Sequence, residues 1–149
     1  MSERNQVTLG AGCFWGAEAA LRQLPGVLDT RVGFASGGQP DAPKVEVVQV
    51  DFDAAVLPLT TVIEHFWTLH DPTSVDRQGT DMGAKYRSAI FVNSDQQAQE
   101  ANAAKRALSE SGRLSKPVVT EVTVLEHFEL AREEDQRYVE KHGGSACSL

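Results

Sequence analysis

A cysteine in a glycine-bounded, aromatic segment is the part of the sequence best suited to chemistry. Cys13 follows Gly12 and precedes Phe14, Trp15 and Gly16. A predicted strand gives way here to a predicted helix, and the N–H groups and positive dipole end of a helix start favour thiolate, the nucleophilic form of cysteine. The glycines leave space for a substrate, and the two rings suit an apolar group on it. An inert buried cysteine is the alternative, which these neighbours disfavour.

The chain has a second cysteine, Cys147, two residues from its end. One pair in 149 residues is no disulfide framework. The first six residues are polar and lack the apolar stretch of a signal peptide, so we expect a cytoplasmic protein whose thiols are kept reduced. The two thiols are therefore expected to be either inert or used for chemistry.

Composition limits the classes of protein that fit. A chain of 149 residues with 41% hydrophobic residues predicts a single domain over 1–149. The apolar runs are too short to cross a bilayer, so we expect no membrane span. A net charge of -7 argues against nucleic-acid binding, which needs a basic surface. The four histidines do not cluster, and no metal-ligand spacing is present, so no metal site is predicted.

The elements that must position Cys13 follow from hydrophobic periodicity and turn residues. Strands are predicted at 7–9, 27–34, 45–52, 88–92 and 118–125. Helices are predicted at 17–24, 59–70, 94–112 and 132–142, the third of which begins with the capping box Ser94 to Gln97. The opening β-α-β-β-α-β order indicates an α+β fold of the split βαβ (ferredoxin-like) type, a two-layer sandwich with helices packed on a mixed sheet.

Three further segments carry expectations. The polar, glycine-containing stretch at 75–87 is predicted to be a long loop, and long loops in compact domains are often functional. The acidic stretch at 132–135 is expected to be the solvated face of the last helix. The glycine-containing tail at 143–149 is expected to be flexible and to carry Cys147.

The segment Gly12-Cys13-Phe14-Trp15-Gly16 resembles the signature of the A-type peptide methionine sulfoxide reductases. Other blocks resemble that family in the same order, and the resemblance extends over 7–147. They are LPGV at 24–27, VGFA at 32–35, VEVV at 45–48, HDPT at 70–73, RQGTDMG at 77–83 and YRS at 86–88.

The resemblance implies a catalytic role for four residues. Cys13 matches the nucleophile that attacks the sulfoxide sulfur, Glu46 the acid that protonates the oxygen, and Tyr86 a hydroxyl that binds the oxygen. The chemistry fits these roles, because burial on a valine-rich strand would raise the pKa of Glu46. A sulfenic acid on Cys13 would then condense with Cys147 to a disulfide. Thioredoxin, or dithiothreitol in vitro, is the implied reductant, with no bound cofactor.

The resemblance also implies a substrate pocket. Phe14 and Trp15 match the walls around the methionine methyl group, Asp81 matches a carboxylate behind the pocket, and Phe34 stands where the family has a tyrosine. The segment at 37–44 is shorter than in the family and lacks its second pocket tyrosine. We therefore expect a more open pocket that favours protein-bound methionine S-sulfoxide or accepts other methyl sulfoxides. Reduction of free methionine S-sulfoxide remains an alternative.

Two other functions remain compatible with the sequence. One is a thiol peroxidase or redox sensor that uses Cys13 and Cys147, although Phe14 and Trp15 would then have no evident task. The other is a catalytically impaired family member that acts as a binding module. The implied partners are oxidised proteins and thioredoxin, and the chain is expected to be a monomer.

Overall fold

A computed structural model describes residues 4–37 and 43–143, which form one six-stranded sheet, a two-stranded hairpin and four α-helices. The strands are β1 (Arg4–Gly10), β2 (Val27–Ser36), β3 (Val45–Asp53), β4 (Arg77–Gln78), β5 (Asp81–Met82), β6 (Ala89–Val92), β7 (Glu121–Val124) and β8 (His127–Leu130). The helices are α1 (Phe14–Leu21), α2 (Leu59–Phe66), α3 (Asp95–Glu110) and α4 (Tyr138–His142), with 3-10 helices at Ala84–Tyr86 and Glu133–Asp135. None of the helices in the described ranges is long and apolar enough to cross a membrane.

The sheet has the order β7-β6-β1-β3-β2-β8. All neighbouring strands are antiparallel except β6 and β7, which are parallel. The inner strands β6, β1, β3 and β2 are connected through α1 and α2 in the split βαβ pattern. The predicted α+β class is confirmed.

The central strand β3 explains how a buried acid reaches the site. Val48, Val50 and Phe52 point toward the helices and are fully buried. Residues on the opposite face of β3 are buried as well, including the polar Gln49 and Asp51, so the strand is buried on both faces. Glu46 alternates with these residues on the helix side, but β1 ends at Gly10, before it reaches Glu46. The space beside Glu46 is filled by the start of α1.

Several predicted boundaries are wrong. The second helix ends at Phe66 instead of residue 70, because the chain tightens into turns after Trp67. The strand predicted at 118–125 is limited to β7, and the sequence did not predict β8. The loop at 75–87 contains the β4–β5 hairpin and a 3-10 helix.

The helix predicted at 132–142 is also wrong in part. It consists of a 3-10 helix and the five-residue α4, separated by Arg137 in a left-handed conformation with φ 51°. Residues 144–149 of the predicted flexible tail, with Cys147, lie outside the described residues.

Candidate active site

Cys13 lies at the junction between β1 and α1, as predicted. Gly12 has a φ of +86°, which a residue with a Cβ atom rarely adopts, and a Cβ atom there would lie 3.0 Å from the side chain of Gln78. The turn makes Cys13 the N-cap residue of α1, and its carbonyl accepts a hydrogen bond from Ala17 N–H at 3.4 Å. The half-buried Cys13 is therefore at the positive end of the helix dipole, where a thiolate is stabilised.

Glu46 contacts the same helix start. Its carboxyl oxygen Oε1 accepts a hydrogen bond from Phe14 N–H at 3.3 Å, and its side chain is only 8% exposed. Phe14 directly follows Cys13, and its N–H is one of those that a helix leaves without an intrahelical acceptor. This hydrogen bond satisfies one of the free N–H groups of the helix start. It also holds the acid against the residue that follows the cysteine.

Burial raises the pKa of Glu46 above its ordinary value. The hydrogen bond from Phe14 and the ammonium of Lys85 oppose this rise, and the charge of Asp81 adds to it. A carboxyl group with a raised pKa stays protonated to higher pH, which suits it to donate a proton near neutrality.

The predicted functional loop reaches Glu46 through the 3-10 helix Ala84–Tyr86. Lys85 Nζ lies 3.6 Å from Glu46 Oε2 and 5.0 Å from the ring centroid of Tyr86. Tyr86 and Asp81 are both half-buried, and Asp81 lies close enough to act on the pKa of Glu46. The structure therefore brings the predicted cysteine, acid, tyrosine and aspartate into one neighbourhood, and adds a lysine that the sequence did not single out.

The aromatic residues form an apolar wall around the helix start. Phe14 is buried in the main core, with its ring centroid 5.6 Å from that of Phe34. Phe34 pairs directly with Glu46 across β2 and β3. Trp15 is half-buried, and its indole stacks on the ring of Tyr138 at a centroid distance of 4.0 Å. The stacking on Tyr138 could not be predicted, because the two residues are far apart in sequence.

A cavity of about 500 Å³ lies beside Cys13 and is also lined by residues of the β4–β5 hairpin. Cys13 and Asp81 line it, whereas Glu46 and Tyr86 do not. Its walls come from the start of α1 and the segment 69–81: Ala11, Cys13, Gly16, Ala17, Leu69, His70, Asp71, Gln78, Gly79 and Asp81. This volume is sufficient for a methionine side chain and part of the adjoining peptide.

His70 fixes the wall of this cavity. Its Nδ1 lies 3.0 Å from Phe66 O, and its Nε2 lies 2.6 Å from Ser88 Oγ. Burial lowers its pKa to about 4, so the ring is neutral near pH 7 and Nδ1–H donates to the carbonyl while Nε2 accepts from the hydroxyl. Ser88 Oγ lies 2.8 Å from Thr120 Oγ1. His70 therefore has a structural role in the cavity wall. Among the described residues, no group of three His, Cys, Asp or Glu side chains could hold a metal ion.

The segment at 132–135 is not simply a solvated face, which corrects the expectation from sequence. Asp135 is buried and accepts a hydrogen bond from Trp15 Nε1 at 3.1 Å. The neighbouring Gln136 side chain bonds to both the N–H and the carbonyl of Val32, at 2.8 and 3.0 Å. These contacts attach the last described segment to β2 and to the aromatic wall.

Glu18 completes this attachment and was missed in the sequence. It is fully buried on α1, where its two oxygens accept hydrogen bonds from Thr30 Oγ1 and from Arg137 N–H, each at 2.7 Å. Arg137 is the residue whose left-handed conformation interrupts the predicted last helix. No local pattern in the sequence indicates this role of Glu18, because its hydrogen-bond partners are distant in sequence.

Replacing Glu18 by Gln should destabilise the protein by about 1–3 kcal/mol, because the amide has a single acceptor oxygen for two buried donors, the Thr30 hydroxyl and Arg137 N–H. Urea unfolding checks this. Glu140→Gln is the matched control, since Glu140 forms an exposed ion pair with Arg22 and should change stability by less than about 1 kcal/mol. Equal effects of the two substitutions would contradict a structural role for Glu18.

A half-buried cysteine at a helix start, next to a buried carboxyl group, is typical of enzymes that use a cysteine nucleophile. Residues 5–149 match the sequence model of the family described as peptide methionine sulfoxide reductase. The chain belongs to this family, and it is a peptide methionine sulfoxide reductase. The family expected from sequence is confirmed.

Named relatives agree with this assignment. The chain is 42% identical over 152 aligned residues to the peptide methionine sulfoxide reductase MsrA of Methanoculleus marisnigri, covering 95% of this chain and 93% of the relative. The crystal structure of Mxr1 from Saccharomyces cerevisiae in reduced form is similar with a TM-score of 0.87 and 30% identity, covering 97% of this chain and 90% of that one. Mxr1 in complex with Trx2 is similar with a TM-score of 0.69 and 27% identity, covering 91% and 85%.

Proposed function

We propose that this chain reduces the S-sulfoxide of methionine, in proteins and as the free amino acid, with Cys13 as nucleophile and Glu46 as proton donor. The hydrogen bond from Phe14 N–H to Glu46 is the observation that carries the proposal. It holds a buried acid at the same helix start as the thiol, so a sulfoxide bound there would have its sulfur near one group and its oxygen near the other.

The chemical step follows from this placement. The thiolate of Cys13 attacks the sulfoxide sulfur while the proton of Glu46 moves to the oxygen, which is a poor leaving group until it is protonated. The oxygen passes to Cys13, giving a sulfenic acid, and methionine is released. Tyr86 donates a hydrogen bond to the same oxygen, and the charge of Asp81 helps to keep Glu46 protonated.

Binding of the substrate is assigned to the aromatic wall. The exposed part of Trp15, with Phe14 and Phe34 behind it, would contact the methyl group of the methionine. The cavity beside Cys13 would hold the side-chain stem or the adjoining peptide. A pocket that opens at the surface suits an oxidised methionine that is still part of a polypeptide.

Recovery of the enzyme requires a second thiol. Condensation of Cys147 with the sulfenic acid would form a Cys13–Cys147 disulfide and release water. A dithiol protein of the thioredoxin type would reduce this disulfide by thiol–disulfide exchange. The similarity to Mxr1 in its complex with Trx2 supports thioredoxin as that partner.

Reduction should be specific for one epimer at sulfur. When the methyl group is held by the rings and the oxygen by Glu46, only one configuration presents its sulfur to Cys13. We therefore expect rapid release of methionine from the S-sulfoxide and little from the R-sulfoxide, with dithiothreitol as reductant. Amino-acid analysis of each reaction measures this, and Cys13→Ser provides the blank. Equal turnover of the two epimers would refute the proposed binding mode.

A further inference from the structure

A single lysine lies between the two groups that the proposed function assigns to the sulfoxide oxygen. Lys85 Nζ is 3.6 Å from Glu46 Oε2 and 5.0 Å from the ring centroid of Tyr86. Glu46 is buried at this contact, whereas the Lys85 side chain is 54% exposed. The ammonium therefore lies at the solvent end of the carboxyl group, opposite the hydrogen bond from Phe14.

Lys85 stays protonated near neutral pH. Its pKa is raised by its hydrogen bond with Tyr86 first, and also by the charge of Glu46. Loss of the tyrosine or of the acid would leave the lysine with fewer contacts on that side. Lys85 and the two oxygen-facing groups thus form one linked set.

We propose that Lys85 is a positioning residue of the reductase site, whose ammonium holds the carboxyl group of Glu46 at the start of α1 and connects it to Tyr86. This inference rests on the proposed roles of Glu46 and Tyr86. The lysine does not itself transfer a proton. It limits the positions of the acid while leaving the Phe14 contact intact.

The proposal has a consequence for pH dependence. Two elements place charged groups that act on Glu46: β5 with Asp81 and the 3-10 helix with Lys85. Cys13, the N-cap residue of α1, directly precedes the Phe14 whose N–H bonds to the acid. The ammonium favours the ionised carboxylate and so lowers the pKa of Glu46, whereas Asp81 raises it. Without the ammonium, Glu46 would hold its proton to higher pH. The alkaline limb of the kcat/KM profile, where a proton donor is lost, should then move to higher pH.

The test is a comparison of kcat/KM against pH for the wild type, Lys85→Gln and Lys85→Arg. We expect Lys85→Gln to lower the maximum by roughly two- to fivefold, as for loss of a partly exposed ion pair, and to move the alkaline limb upward. Lys85→Arg keeps the charge and should restore both. Lys105→Gln is the matched control, because Lys105 is a partly exposed lysine on α3, which contributes no residue to the site. It should behave as wild type.

Three further measurements keep the outcomes distinct. The alkylation rate of Cys13 against pH separates a shift of the thiol from a shift of the acid. Lys85→Met supplies a second neutral variant if Lys85→Gln folds poorly. An unchanged alkaline limb in a folded neutral variant overturns the proposal. Slow turnover by Glu46→Gln alongside that result would refute only the role of Lys85, whereas fast turnover by Glu46→Gln would refute the proposed function itself.

Discussion

Replacing Glu46 by Gln should lower kcat/KM for methionine S-sulfoxide by roughly 10²–10⁴-fold, the usual contribution of a general acid. The amide oxygen of glutamine can still accept the hydrogen bond from Phe14 N–H, so the helix start and the pocket are retained. The transferable proton is removed, together with the charge that faces Lys85. Steady-state kinetics with dithiothreitol measures the change.

The pH dependence of kcat/KM provides a second test of the Glu46→Gln variant. The pKa of Glu46 is raised in the folded protein by burial. Its proton is therefore available below that pKa and is lost as the pH rises through it, which should produce an alkaline limb in the wild type. The limb due to this group should be absent from Glu46→Gln.

Stability should not fall in this variant. A carboxyl group whose pKa is raised on folding contributes stability below its unfolded pKa, and this stability is lost as the pH rises through the folded value. At higher pH the buried carboxylate therefore opposes folding, and a neutral glutamine does not. An unchanged or higher Tm above this range would separate a catalytic defect from misfolding.

The control is Glu129→Gln. Glu129 lies on β8, opposite Phe34, and its exposed carboxylate forms an ion pair with Lys44. It should retain wild-type kcat/KM. If Glu46→Gln also remained near wild type across neutral pH, the proton would come from another group, and Asp81→Asn would be the next variant to measure.

The local part of the fold could be predicted from the sequence. The valine-rich alternation of β2 and β3 and the capping of α3 are determined by residues close together in the chain. Ser94 Oγ accepts the Gln97 N–H bond at 3.2 Å, as the capping box predicts, although Gln97 returns its side chain to Asn93 N–H instead of Ser94 N–H. The position of Cys13 likewise follows from local glycine and helix-start chemistry.

The C-terminal segment could not be predicted because distant residues decide its structure. The many Glu, Gln, Arg and Lys residues of 132–142, with no glycine or proline before Gly143, favour a continuous helix. The N–H of Arg137 instead bonds to Glu18, and Gln136 pairs with Val32, more than a hundred residues away. These buried contacts outweigh the helical preference of the segment. The contact between Asp135 and Trp15 could not be predicted either, because these residues are also far apart in sequence.

The functional site likewise contains residues that the local sequence identifies and one that it does not. Cys13 and its aromatic neighbours form a contiguous motif, and the resemblance to the family identified Glu46, Asp81 and Tyr86 as candidates. Lys85 carries no signal of its own, because a lysine in a polar loop is ordinarily solvated. Its contact with Glu46 depends on the 3-10 helix that brings it to the start of β3, beyond the last residue of β1.

The attachment of the last described segment bears on the resolving cysteine. Trp15, two residues from Cys13, stacks on Tyr138 of α4, and Asp135 bonds to the same indole. Gly143 ends the described chain, and Cys147 follows four residues later. Four extended residues span at most roughly 14 Å. The last described segment thus contacts the residue two positions from the nucleophile, and we expect the four residues after Gly143 to carry Cys147 to Cys13.

Cys147→Ser should accordingly release about one methionine per enzyme and then stop, because the transfer of oxygen to Cys13 precedes the need for a second thiol. With thioredoxin as reductant, sustained turnover should be lost almost completely.

After one turnover without reductant, mass spectrometry should find the wild type lighter by two hydrogen atoms, as a Cys13–Cys147 disulfide. The variant should instead carry a sulfenic acid on Cys13 that a dimedone-type reagent traps. Cys13→Ser should release no methionine, which distinguishes loss of the chemical step from loss of recycling. Thioredoxin-driven turnover by Cys147→Ser at the wild-type rate would show that another group, or the reductant itself, resolves the sulfenic acid.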